Sequence, residues 1–155
     1  MARQKINTTP FWRFLFLLYC AAMLWLLFGR SNGWGSDLSY TTQLQQNTNL
    51  IPLLTIKNYM YVLRNSDSTY MVRHCFINLA GNILLFVPDG WLLPKLWKWF
   101  RNFFHFFISC IGIIFLVEVL QLFTLLGRFD IDDILLNITG MVFGFLLWLL
   151  FSKKN

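Results

Sequence analysis

Four long apolar runs, separated by short polar segments, organise the chain. They cover about residues 11–28, 75–93, 103–126 and 134–151. Each holds about 18–24 residues, and roughly 20 helical residues cross the ~30 Å hydrocarbon core of a bilayer. The pattern predicts an all-α membrane protein, with one domain over 1–155 folded as a four-transmembrane-helix bundle. Polar side chains interrupt the runs at particular places. Asn78, Asn82, Glu118, Gln121 and Asn137 sit where hydrocarbon is expected. A carboxyl group in the bilayer interior costs about 2.5–3.5 kcal/mol on insertion scales. Groups that costly need partners, a watered cavity or a function.

The segments between the runs carry their own signals. After the first run comes an outer segment of about 45 residues. Positions 29–49 are rich in Ser, Asn, Gln, Thr and Gly and read as irregular. Within 50–63, Ile56, Tyr59, Met60 and Leu63 recur at helical spacing, opposite Lys57, Asn58 and Arg64. That spacing fits a short amphipathic helix at the membrane surface. A loop packed on the bundle satisfies it equally. Val87-Pro88-Asp89-Gly90 is expected to break the second span near the inner surface, because proline removes a donor and disfavours helix before it. Asp89 would then leave the hydrocarbon and pair with Lys95 or Lys98. The connections at 94–102 and 127–133 are short, so spans two, three and four are expected to be antiparallel neighbours. Gly140 and Gly144 form a small-xxx-small face suited to close helix contact.

Charge sets the orientation. With the N-terminus cytoplasmic, the inner side holds Arg3, Lys5, Arg13, Lys95, Lys98, Arg101, Lys153 and Lys154. Arg30, Lys57, Arg64, Arg73 and Arg128 fall outside, as do Asp37, Asp67, Asp130, Asp132 and Asp133. Both termini are therefore predicted cytoplasmic, in a multi-pass membrane protein. The first run is long for a signal peptide, and no A-x-A site follows Phe28, so it is expected to persist as an anchor. Only 13% of residues are charged, against about 25% in soluble domains. The net charge of +6 reads as an insertion signal and an attraction to anionic lipid. No nucleic-acid module is recognisable. Cys20, Cys75 and Cys110 show no metal or redox spacing.

Depth gathers the polar groups. The second span descends from outside, placing Asn78 and Asn82 roughly 5–13 Å below its outer end. The third ascends and places Glu118 and Gln121 roughly 7–12 Å below its own. Asn137 lies about 6 Å below Asp133. The three helices thus put amide and carboxylate groups in one layer of the outer leaflet. Arg73 and His74 are expected to cap the second span, and Arg128 with the aspartates to close the others. Glu118 has three readings: a structural partner of Arg73, Arg128 or an Asn; a general acid or base; or a ligand for a headgroup. Asp130, Asp132 and Asp133 suit Mg²⁺ or Ca²⁺, and they equally suit helix capping. Arg73, His74 and Arg128 suit a lipid phosphate, and they equally suit ordinary interfacial roles. No nucleophile with a triad is visible.

Several ordered motifs resemble the VanZ-like family. They are Asn49-Leu50-Ile51-Pro52, then Ile77-Asn78-Leu79-Ala80-Gly81-Asn82-Ile83-Leu84-Leu85-Phe86-Val87-Pro88-x-Gly90, then Glu118-x-x-Gln121, then Arg128-x-x-Ile131-Asp132-Asp133-Ile134-x-x-Asn137-x-x-Gly140. Together they span about residues 49–150. Asp89 departs from the apolar residue usual at that position. The resemblance implies a small bacterial integral membrane protein, whose founding member is linked to resistance to teicoplanin-type glycopeptides acting on cell-wall precursors outside the cell. It supplies no catalytic residue. Three functions remain open. The first is binding of an outer-leaflet lipid headgroup or lipid-linked cell-wall precursor that limits glycopeptide action, using Arg73, His74, Asn78, Asn82, Gln121, Arg128 and Asn137. The second is an intramembrane enzyme with Glu118 as base and a divalent ion on the aspartates. The third is a membrane-protein partner or sensor.

Overall fold

A computed structural model of the chain describes residues 9–29 and 38–152. The expected topogenic charges Arg3, Lys5, Arg30, Asp37, Lys153 and Lys154 lie outside the described residues. Four helices are long and apolar enough to cross a membrane: α1 (Thr9–Phe28), α4 (Thr69–Leu96), α5 (Phe103–Phe123) and α6 (Ile131–Ser152). Between α1 and α4 lie α2 (Tyr40–Gln46), β1 (Thr48–Asn49) and α3 (Leu54–Asn65). A single 3₁₀ turn (Lys98–Arg101) joins α4 to α5, and β2 (Phe129–Asp130) leads into α6. Part of the stretch expected to be irregular is therefore helical. Ser39 starts α2 by accepting the Thr42 N–H at 3.3 Å, as small hydroxyl side chains do at helix starts. The amphipathic helix expected in 50–63 exists, and its Ile56, Tyr59 and Leu63 face packs against α4.

The tightest contact in the bundle joins α4 and α6, and glycine makes it. A Cβ on Gly140 would lie 2.1 Å from the Ile83 carbonyl oxygen. On Gly144 it would lie 2.0 Å from the Val87 oxygen, and on Gly90 2.0 Å from the Met141 oxygen. No side chain fits at these positions, so the two backbones touch. Small residues drive helix association in lipid, where burial of apolar surface gives little advantage. Gly140 meets Ile83 and Gly144 meets Val87, so α4 and α6 run parallel. Spans two and four are thus parallel neighbours, and α6 packs on both α4 and α5. Around and below the glycines Phe86, Phe106, Ile114, Met141 and Phe145 form the core, with Phe106 and Phe145 stacked at 4.6 Å. Helix α1 fully buries only Met23; Phe16, Tyr19 and Leu27 pack against the core, while Phe11, Phe14, Leu17, Leu18, Leu24 and Trp25 face outward, as lipid-facing residues do.

The break expected at Pro88 does not occur, since α4 runs through Pro88 and Pro94 to Leu96. Pro88 leaves the Leu84 carbonyl without its helical donor. The neighbouring Leu85 carbonyl accepts the Tyr19 hydroxyl of α1 at 2.5 Å. Partners from adjacent helices are what make proline tolerable in a span. The same hydroxyl lies 3.0 Å from Asp89 Oδ2. Asp89 therefore meets Tyr19 rather than Lys95 or Lys98. The Lys95 ammonium instead lies over the Trp12 and Trp91 rings, at 3.3 and 3.9 Å.

Gly140→Ala should lower stability by about 1–3 kcal/mol, the usual cost of forcing atoms into a filled contact. Gly81→Ala should leave stability unchanged, because nothing lies within 4 Å of the added carbon. Thermal unfolding of the two variants in detergent checks the difference.

Candidate functional site

The polar groups at the α2–α3 end form a connected network. It begins with Glu118, only 3% exposed, whose Oε2 accepts the Asp130 N–H at 3.3 Å. Asp130 accepts from three donors. Its Oδ1 takes the Asp132 N–H at 2.9 Å and Asn49 Nδ2 at 3.1 Å, and its Oδ2 takes the Thr55 hydroxyl at 2.6 Å. Asn49 Nδ2 also reaches the Thr55 hydroxyl at 3.0 Å and closes a ring. Beside it β1 pairs in parallel with β2, Thr48 opposite Phe129 and Asn49 opposite Asp130. The outer segment is thus stitched to the start of α6.

Asp132 completes that attachment. It is fully buried and accepts the Leu53 N–H at 2.5 Å and the Ile56 N–H at 3.1 Å. These are free donors at the start of α3, so an aspartate of α6 caps a helix remote in sequence. Leu53 adopts φ 64° to present its N–H. A left-handed leucine is strained, and such strain persists only where surrounding contacts enforce it. Asp133 turns the other way. Its Oδ1 accepts Asn82 Nδ2 at 2.5 Å, and Asn82 also reaches Asn78 Oδ1 at 3.4 Å. The capping reading of the aspartates is therefore realised, partly in trans. Among the described residues no three His, Cys, Asp or Glu side chains gather as a metal-binding group. All three aspartates expected to hold Mg²⁺ or Ca²⁺ accept N–H or hydroxyl donors of the protein.

Between α3, α4 and the start of α6 lies a cavity of about 470 Å³. Asn49, Thr55, Asn58, Tyr59, Asn78, Arg128, Asp130 and Asp133 supply its polar wall. Burial, and then the Asp133 charge, push the Tyr59 phenol up, so it remains a hydroxyl donor at neutral pH. The cavity offers one guanidinium, carboxylate oxygens and several amides at the rim of a spanning bundle. A second, smaller cavity of about 290 Å³ adjoins it and is lined by Tyr70, Arg73, His74, Ile77 and Asn78. Asn78 belongs to both.

The expected site residues separate accordingly. Asn78, Arg128, Asp130 and Asp133 line the main cavity. Arg73 and His74 do not cap α4, whose cap is Ser68 accepting the Met71 N–H at 3.4 Å. They are exposed on the second cavity, where His74 packs edge-on against Tyr59. Asn82 supports Asp133 from behind. Glu118 lines neither cavity and meets neither Arg73 nor Arg128; it positions β2. Gln121 Nε2 donates to the Leu27 carbonyl at 2.9 Å and so ties α5 to the end of α1. Asn137 is 2% exposed and its Oδ1 has no protein partner. The residues not anticipated, Thr55, Asn58 and Tyr59, come from the surface helix. Asn49, within the Asn49-Leu50-Ile51-Pro52 motif, was the signal pointing to that segment.

Asp132→Ala should strand the Leu53 and Ile56 N–H groups, at about 1–3 kcal/mol for each buried donor left unpaired. Segment 48–56 should then be cut by protease at least ten times faster, while Asp132→Asn, which keeps one acceptor, should fall between. Timed proteolysis followed by mass spectrometry reads both.

A family model described as VanZ/LLP1 matches residues 16–152. No curated protein and no solved structure matches the chain.

Proposed function

Because the chain belongs to the VanZ/LLP1 family, we propose that this multi-pass protein binds the headgroup of an outer-leaflet lipid or lipid-linked cell-wall precursor in the cavity under α3. By holding that headgroup it limits glycopeptide action at the bacterial surface. The loop end is then the outer end, in keeping with the Lys and Arg distribution. The observation that carries the proposal is the cavity's mixed lining. Arg128 faces the same space as Asp133, Asn58, Asn78 and Tyr59. A guanidinium takes phosphate oxygens in two parallel hydrogen bonds. Carboxylate, amide and phenol groups take the hydroxyl or amino groups that accompany phosphate in a glycan or headgroup. The volume falls within the ~300–1,000 Å³ typical of ligand pockets.

Glu118 acts in this reading through Asp130, which it holds in place. A general base must reach the proton it removes, and Glu118 is directed at a backbone N–H behind the cavity wall. Arg73 and His74, one helical turn above Asn78, extend the same binding surface toward a second phosphate or a neighbouring sugar.

Arg128→Ala should weaken headgroup retention about 10- to 100-fold, as expected for a lost charge-assisted hydrogen bond. Glu118→Gln keeps an acceptor for the Asp130 N–H and should retain binding, whereas Glu118→Ala should lose it. Native mass spectrometry of the chain released from nanodiscs of a bacterial lipid extract measures this. Identical retention by the parent and Arg128→Ala would overturn the proposal.

A further inference from the structure

At the opposite end of the bundle, a cavity of about 350 Å³ is lined by Trp91, Lys95, Arg101, Trp148, Phe151 and Ser152. Its two cations come from different elements, Lys95 from the last turn of α4 and Arg101 from the 3₁₀ turn. Both are held in position. The Lys95 ammonium lies between the indole faces of Trp12 and Trp91. Arg101 Nε donates to the Pro94 carbonyl at 3.1 Å, which leaves the outer guanidinium nitrogens to serve as further donors. No carboxylate is among the lining residues. The rest of the wall is largely aromatic, at the ends of two spans, where tryptophan sits at the headgroup level of a bilayer.

We propose that this cavity is a second lipid site, which takes the phosphate of an anionic phospholipid between Lys95 and Arg101 and lays its glycerol and upper acyl carbons against Trp91, Trp148 and Phe151. Two fixed cations without a neighbouring acid select a net anion. A zwitterionic headgroup would bring its own cation toward them. Free phosphate has no apolar part to set against the aromatic wall. Basic pockets between spanning helices hold anionic headgroups in this manner. The site is separate from the aspartate-rich cavity, so either can exist without the other.

The test uses the full chain in nanodiscs of equal phosphatidylglycerol and phosphatidylcholine, with retained lipid read by native mass spectrometry. Each basic residue near an anionic lipid contributes a factor of about five, so the parent should prefer phosphatidylglycerol about 25-fold. Lys95→Gln/Arg101→Gln should bring the preference close to parity, and Arg64→Gln, which removes an exposed cation that lines none of the three cavities, should leave it intact. If the double variant does not fold, Arg101→Gln alone, on an exposed side chain, should reduce the preference about five-fold. Parity in the parent overturns the proposal, as does a preference that survives in a folded double variant or in Arg101→Gln. A preference lost only in Arg128→Ala moves the anionic lipid to the other cavity. Displacement of phosphatidylglycerol by millimolar inorganic phosphate makes the site a free-anion site and also overturns it.

Discussion

Backbone contact between α4 and α6, permitted by Gly90, Gly140 and Gly144, is the constraint on which the rest of the molecule depends. In lipid, apolar side chains gain little by leaving acyl chains for one another, so association rests on close packing and hydrogen bonds. Glycine supplies the first and allows the second. It brings α6 near enough to α4 for the short side chains of Asn82 and Asp133 to meet. A longer interhelix distance would part this pair and open the cavity floor to lipid. The same approach turns the chain's most polar helix faces toward each other and leaves their apolar faces outward.

The four acidic side chains of the network divide the work. Glu118 and Asp132 are spent on backbone N–H groups, Asp130 on backbone and side-chain donors, and Asp133 on the Asn82 amide behind the cavity wall. In a low-dielectric setting an unpaired polar group is expensive, and a satisfied network is correspondingly rigid. The strained backbone at Leu53 fits this picture. Asp132 offsets that strain by holding α3 over the mouth of the cavity. Asn58 and Tyr59 therefore reach the site from an element that crosses no bilayer.

Much of this arrangement is legible in the residues. The four apolar runs, the shared depth of the polar groups and the glycine spacing all follow from helical rise and period. What periodicity does not encode is the reach of a short polar side chain to a remote backbone. Asp132 looks like a cap for its own helix and instead caps α3. Gln121 shares a helix face with Glu118 and yet bonds to α1. Two-residue strands such as β1 and β2 are too short to carry an alternation. Pro88 reads as a break, yet α4 continues through it, and the Tyr19 hydroxyl that bonds beside it, to the Leu85 carbonyl and Asp89, lies about 70 positions earlier in the chain.

One distance joins function to fold, the separation of α4 and α6 at the glycines. Nuclear Overhauser spectroscopy of the isotope-labelled chain in lipid measures it directly. Cross-peaks should link the Gly140 α-protons to Ile83 and the Gly144 α-protons to Val87 and Gly90, since backbone atoms of these residues are in contact. A folded chain that lacks all of them, with only side-chain contacts between the two helices, would contradict the account.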